Sequence, residues 1–463
     1  MTNTKKYIQQ LLVLKEINIS PKNEQAFQEF VSKEENISKV KLIQELQKQM
    51  AKDWELINRK LDIQNQQILF PNGTVGKEYL APLDFDLLDL SDLNSISIDG
   101  LEIFGLAYNP DKKNISGTPL ESGNLKFNLF YKINEDDTNE FYQKTLSIIF
   151  NPDPKSLWKS IPSNTEDIYW KKDDVSELYS LEEKSVVVAS KRGRSHANKG
   201  SFRDDDYAIK HFPENNWSLI AVSDGAGSAV LGRKGAEIAC NAVVTFFQNY
   251  FDENKTSVFD QEVLNYRENT ENSLREAKIQ LLNASRFAYQ QIEDAADKIE
   301  VSSKDFHATL IFTLLKKFDF GYAILTFGVG DCPIGVISKD QTSVELMNKI
   351  DVGEFGGGTR FITMSEIFED ENFESRFSAV IVEDFSYFFL MTDGIYDPKF
   401  EVEANLKKIE KWNSFIEDLK GKNEDQLAVN FQNRNQETAT QLSEWMDFWS
   451  PGNHDDRTLA IIY

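Results

Sequence analysis

Acidic side chains stand at the ends of apolar runs at several points in this sequence. AVSDGAGS places Asp224 directly after one such run, FLMTDGIYD does the same for Asp393, FGVGDCPIG presents Asp331, and GNHDDRTLAIIY sets Asp455 and Asp456 just ahead of the last one. Taken alone, each Asp-Gly pair means a turn, because both residues tolerate the backbone conformations that turns demand. Repetition after strand-like runs within one stretch of chain means more. Carboxylates projected from strand ends beside glycines can converge at one edge of a sandwich. Such an oxygen-rich shell suits hard divalent cations such as Mg²⁺ and Mn²⁺, with water completing the coordination.

The elements that must position these residues follow from the apolar patterning. After Leu181, strand-like runs occur at SVVVAS, WSLIAVS, HATLIFTLLKK, YAILTFGVG, FSAVIVED, YFFLMT and TLAIIY. Long helical stretches interrupt them, notably GRKGAEIACNAVVTFFQNYF, NSLREAKIQLLNASRFAYQQIEDAADKI and EANLKKIEKWNSFIEDL. Strands dominate both ends and the helices come as blocks, without regular βαβ alternation, so a sheet sandwich flanked by helices is expected over 181–463. Cys240 falls inside a helical stretch and reads as core packing.

Upstream the pattern differs. Residues 1–65 are rich in Lys, Glu and Gln with apolar residues at helical intervals, which predicts two or three amphipathic helices. Residues 66–152 carry short alternating runs such as SISIDGLEIFGLAY, LKFNLFYKI and KTLSIIF between turn-rich pieces, the mark of an all-β sandwich. Within them, FPNGTVGKEYLAPL resembles the entry of bacterial immunoglobulin-like domains, where a Pro-x-Gly turn and a Val-Gly-x-x-Tyr stretch lead into a strand. The Pro- and Asp-rich stretch 153–180 reads as a linker.

Length and composition bound the function. The chain has 463 residues, 75 acidic against 51 basic, for a net charge of −24. That length predicts more than one domain. No basic stripe is present to neutralise phosphates along a nucleic acid, so that partner class is excluded. No stretch of roughly 18 apolar residues is available for a membrane span. The two cysteines, Cys240 and Cys332, make no disulfide framework, and MTNTKKYIQQLLVLKEIN is a poor signal peptide; both point to a cytoplasmic location.

The order RSHANKGSFRDDDYAI, AVSDGAGSAVLGRKGAEIA, HATL, VGDC, FLMTDGIYD and DDRTLAII resembles the metal-dependent PPM phosphatases, the protein phosphatase type-2C family, over Val186 to Tyr463. The early Gly-x-Ser-His and the Asp-Gly-x-Gly-Ser resemble a bacterial branch. The resemblance implies an αββα sandwich; with the helical segment and the Ig-like sandwich read upstream of it, the expected fold class is α+β. It implies hydrolysis of phosphoserine and phosphothreonine in proteins by water activated between two Mn²⁺ or Mg²⁺ ions, with a cognate Ser/Thr kinase as counterpart. By the same resemblance Asp224 bridges the ions, the carbonyl of Gly225 completes one site, and Asp393 and Asp456 ligate the second ion. Asp331 joins Asp393 in a weaker third site, and Asp205, with Asp204 beside it, orients water.

Departures from the family pattern are equally specific. Many relatives carry a general-acid His directly after the Asp-Gly pair; here that position is Ala226. The phosphate-binding Arg has no counterpart at its usual spacing, leaving Arg194 and His196 as candidates and Arg203 as a third. Gly356 to Gly358 form no phosphate-cradling loop, since no Lys-Ser/Thr follows, and read as a mobile loop near the cleft. These departures keep open an alternative, a phosphatase-fold protein that recognises phosphorylated partners with little turnover.

Overall fold

Contacts divide the chain of this computed structural model into two units, Met1–Leu157 and Trp158–Tyr463. The structure describes residues 2–134, 136, 138–252, 256–269, 274–351, 358–369, 373–432 and 434–463. Of the Gly356 to Gly358 run, only Gly358 lies among the described residues.

In the first unit, apolar residues at helical spacing form α1 (Thr2–Leu14), α2 (Glu24–Ser32) and α3 (Glu34–Asn65). Ile8, Phe27, Val31 and Val40 make their shared core. Beyond them come β1 (Gly73–Thr74), β2 (Tyr79–Pro82), β3 (Leu93–Asp99), β4 (Leu106–Asn109), β5 (Asn114–Gly117), β6 (Gly123–Ile133) and β7 (Tyr142–Asn151). They form a four-stranded sheet, β1-β7-β6-β3, and a three-stranded sheet, β2-β5-β4. Along β6 and β7 every second side chain is buried, which is the period-2 signature the sequence carries. Tyr79, Ala81, Leu106 and Ile115 of one sheet pack with Phe127, Leu129, Leu146 and Ile148 of the other, and Ile63 of α3 joins them.

The second unit contains β8 (Asp174–Leu181), β9 (Lys184–Lys191), α4 (Arg194–Lys199), β10 (Asp206–Phe212), β11 (Trp217–Ser223), α5 (Gly232–Asp252), α6 (Thr256–Glu268) and α7 (Arg275–Lys298). There follow β12 (Leu310–Phe318), β13 (Gly321–Val329), β14 (Ile334–Ser338), β15 (Val344–Leu346), β16 (Phe377–Val382), β17 (Phe385–Met391), α8 (Asp393–Phe400), α9 (Ile409–Leu419), α10 (Gln436–Trp445) and β18 (Arg457–Ile462). One sheet has the order β10-β11-β12-β13-β16 and the other β15-β14-β17-β18-β9-β8.

The two sheets share a core of Val186, Val188, Ile220, Val222, Ile311, Ile324, Ile334, Phe388, Leu390 and Ile462. On the outer face of the first sheet α5 and α7 pack through Cys240, Val243, Phe247, Leu281 and Ile292. On the outer face of the second, Trp412, Phe415, Leu442 and Trp445 of α9 and α10 pack against Phe389 and Leu459. Strands covered on both faces are continuously apolar: every residue of β11, β13 and β18 is buried.

The stretch expected to be a linker, 153–180, is not one throughout. From Trp158 onward it belongs to the second unit, and its last residues, from Asp174, form most of β8, paired antiparallel with β9 along its length. Its sequence is poor in apolar residues because β8 is an edge strand, half exposed, and the segment before it is held by polar bonds.

Candidate active site

The acids of interest leave the ends of strands from both sheets of the second unit. β10 and β11 are antiparallel with Asp206 opposite Ser223, so the acids before β10 and Asp224 after β11 emerge at the same end. A bridge between Gly225 and Ala308 continues this edge, with Ala226 N–H donating to His307 O and Thr309 N–H to Asp224 O. Gly225 has to be glycine: a Cβ there would lie 2.5 Å from the backbone of Gly232 at the start of α5. β13 delivers Asp331 through Gly330, which has φ +106°. In the second sheet β17 runs through Thr392 into Asp393, the first residue of α8, while Asp455 and Asp456 precede β18, the neighbour of β17.

These carboxylates lie in one another's fields. Burial first, then Asp393, Asp205, Asp455 and Asp331, push Asp224 well above the usual carboxylate range. Burial followed by Asp455, Asp331, Asp205 and Asp397 does the same to Asp393. Asp331 is raised chiefly by burial, and its Oδ1 is buried without a hydrogen-bond partner among the described residues, while Oδ2 accepts from Thr359 Oγ1 at 2.6 Å. Asp205, 1% exposed, is also raised, mainly by burial and Asp456, and accepts from Thr392 Oγ1 at 2.8 Å. Mutually repelling acids around an unpartnered oxygen are the electrostatic demand that a bound cation satisfies, and the donors are hard oxygens suited to Mn²⁺ or Mg²⁺.

Asp456 stands among protein donors. Its Oδ1 accepts from Gly193 N–H at 2.6 Å and lies 3.0 Å from His196 Nδ1, and its Oδ2 accepts from Asp204 N–H. These bonds outweigh burial and hold the Asp456 carboxyl below its ordinary value. Both oxygens are thus taken by protein donors. Asp455 carries the carboxylate felt by Asp224 and Asp393, and is itself raised, by burial and then by Asp456.

His196 is the other half of this arrangement. Burial opposes its protonation, but Asp456, Asp204 and Asp455 outweigh it and raise the imidazole to about 9. Asp204, 3.8 Å from His196 Nε2, is itself raised to about 7, by burial and then by Asp456. Three groups, His196, Asp204 and Asp456, therefore form a compact ion cluster beside the one around Asp224.

Of the basic candidates, Arg194 donates to Asp447 O at 2.5 Å and stacks on Trp449, which joins it to the turn after α10. Arg203 is buried, donating to Asp205 O at 2.8 Å and to Lys172 O at 3.2 Å, so it shapes the acidic run from beneath.

Sequence reasoning missed several residues here. Asp397, one turn beyond Asp393 on α8, is raised by burial, Asp331 and Asp455; its spacing of four from Asp393 was the available signal. Cys332 places its thiol within 4.8 Å of donor oxygens of Asp224 and Asp331, and burial keeps it protonated. Lys171 lies under the acidic run, donating to Asp205 O at 2.7 Å and to Asp206 Oδ2 at 3.0 Å. No spacing rule points from residue 171 to residue 205.

With this geometry in place, the comparisons are specific. The profile of the family described as protein phosphatase 2C matches residues 192–447, more than half of the chain. The chain therefore belongs to the protein phosphatase 2C family. By that membership it is a protein serine/threonine phosphatase. No match was found among curated proteins. Similar solved structures include the catalytic domain of the serine/threonine protein phosphatase PstP in complex with two manganese ions, 14% identical, covering 60% of this chain and 97% of that one, with a TM-score of 0.36. Stp1 from Staphylococcus aureus is 14% identical over 63% of this chain and 98% of its own, with a TM-score of 0.33. The S. agalactiae serine/threonine phosphatase is 14% identical over 60% and 99%, with a TM-score of 0.33.

Proposed function

We propose that this phosphatase hydrolyses phosphoserine and phosphothreonine in proteins with two Mn²⁺ or Mg²⁺ ions held by Asp224, the carbonyl of Gly225, Asp393 and Asp455. Asp331 would serve a third, weaker position. The carrying observation is the mutual elevation of Asp224 and Asp393 by one another's neighbours at the shared end of two sheets. The second-ion ligand moves from Asp456 to Asp455, because the oxygens of Asp456 are already bonded to Gly193, His196 and Asp204. When bound, such ions supply a nucleophilic water near neutral pH and stabilise charge on the phosphate.

The chain's own groups do the rest. Asp205, fixed by Thr392, accepts a hydrogen bond from water in the cleft and so orients it. His196, held as a cation between Asp456 and Asp204, presents positive charge toward a substrate phosphate, the role in which Arg194 is replaced because it faces Asp447. Ala226 offers no proton to the leaving serine or threonine oxygen, so solvent supplies it. Residues 66–152 fit an Ig-like module, a reading supported by two small sheets sharing one core.

The test is hydrolysis of a phosphoserine or phosphothreonine peptide by the full chain with Mn²⁺. Activity that is lost in chelator and abolished by Asp224→Asn and by Asp393→Asn is the expected outcome. Tight Mn²⁺ binding without turnover would favour the alternative, a binding protein on the phosphatase fold.

A further inference from the structure

Between the first unit and β8 in the chain, residues 158–173 form a strap on the second unit, held by polar bonds and by the Trp158 ring against His454. Its first part is tied to α4 and the residues before it: Ile161 N–H donates to Ala197 O at 2.9 Å, Arg192 Nη2 to Ile161 O at 2.9 Å, and Lys159 N–H to Asn198 Oδ1 at 3.1 Å. Its middle is clasped by the start of α5, where Arg233 Nη2 donates to Asp167 Oδ1 at 2.9 Å and Arg233 Nε to Tyr169 O at 3.3 Å. At its far end Lys171, with a side chain only 11% exposed, reaches under the acidic run. The three N–H groups of the ammonium are shared among Asp205 O at 2.7 Å, Asp206 Oδ2 at 3.0 Å, Arg233 O at 3.3 Å and Asp204 O at 3.5 Å.

These bonds meet the two parts of the site that must stay in register. α4 carries His196, and the backbone of Asp204 and Asp205 carries the amide bonded to Asp456 and the carboxylate bonded to Thr392. The first of these parts has little packing of its own: α4 has six residues, none of them buried. A buried ammonium is a strong constraint, because it needs several oxygen acceptors gathered around it and so ties the backbone of the acidic run to the strap and to the start of α5.

We propose that the strap is a positioning element of the phosphatase site and that Lys171 is its principal residue, fixing the backbone from which Asp204 and Asp205 act. The proposal rests on the functional reading above for its catalytic consequence, and on the structure alone for its effect on the acidic run.

The test uses the full chain with the substitution Lys171→Met, which keeps most of the side-chain volume and removes the donors. In the metal-free protein, amide hydrogen exchange at Asp204 to Tyr207 should quicken about tenfold while β11 and β12 keep their protection. Mn²⁺ affinity by calorimetry should weaken about tenfold, and kcat on an aryl phosphate should fall with KM within about twofold of the parent. Should Lys171→Met fail to fold, Asp167→Asn, which loosens the clasp at a partly exposed position, should give the same pattern in smaller measure. Unchanged exchange at Asp204 to Tyr207 together with unchanged Mn²⁺ affinity overturns the proposal. A parent protein with no phosphatase activity overturns the functional reading instead, since the exchange and calorimetry arms still judge the strap.

Discussion

Two adjacent aspartates do different work before β18, and the difference lies in their partners. Asp455→Asn should weaken Mn²⁺ binding and turnover with little loss of stability in the metal-free protein, because it removes a carboxylate that repels Asp393. Asp456→Asn should instead destabilise the fold by about 3 kcal/mol, since it breaks a buried pair with His196. Calorimetric Mn²⁺ titration set beside thermal melts separates the two. The pH dependence follows from the same cluster. His196 is raised from 6.5 to about 9, so its contribution is complete below pH 6.5 and is lost as pH rises through 9. Asp204 is raised from 3.8 to about 7, so the native state holds its proton more tightly and stability falls between those values. Metal-free melting temperatures should thus decline from mildly acid to alkaline pH. In His196→Gln the decline between pH 6.5 and 9 should be smaller than the parent's by on the order of 2 kcal/mol, the raised carboxylates supplying what is left; a decline identical to the parent's would contradict the assignment. Asp224, Asp331 and Asp393 were conspicuous in the sequence because each closes an apolar strand beside glycine. The choice between Asp455 and Asp456 was hidden, since it depends on amides at Gly193 and Asp204, some 250 positions away.

At the scale of elements, the acids are aimed by close backbone contacts. Gly394, the second residue of α8, sits so near Asp456 that a Cβ would overlap its carbonyl oxygen. Gly394→Ala should therefore push α8 and the start of β18 apart, costing about 1–3 kcal/mol in chemical denaturation and weakening Mn²⁺ binding through Asp393. Strands and long helices of the second unit were legible because β11, β13 and β18 are covered on both faces and read as unbroken apolar runs. The segment from Trp158 was not. Its order comes from hydrogen bonds to α4, the acidic run and α5, and a polar, proline-bearing stretch carries no periodicity that distinguishes a strap from a spacer.

For the whole molecule, the net charge of −24 describes mostly solvated surface, while the functional charge is a handful of carboxylates held together against their repulsion. Occupancy by cations relieves that repulsion, so Mn²⁺ at 100 times its Kd should stabilise the second unit by about 2.7 kcal/mol, and a fixed Mn²⁺ concentration should stabilise it more at pH 8 than at pH 6, because protons compete for the carboxylates. Trp217, Trp412 and Trp445 are fully buried there, and their fluorescence reports the transition. A further consequence concerns synthesis. β18 lies between β17 and β9, so a sheet begun near residue 174 stays split until residue 462 has left the ribosome. Because Asp455 and Asp456 directly precede that strand, the growing polypeptide has no complete acid cluster with which to capture a metal until its six-stranded sheet is ready to close.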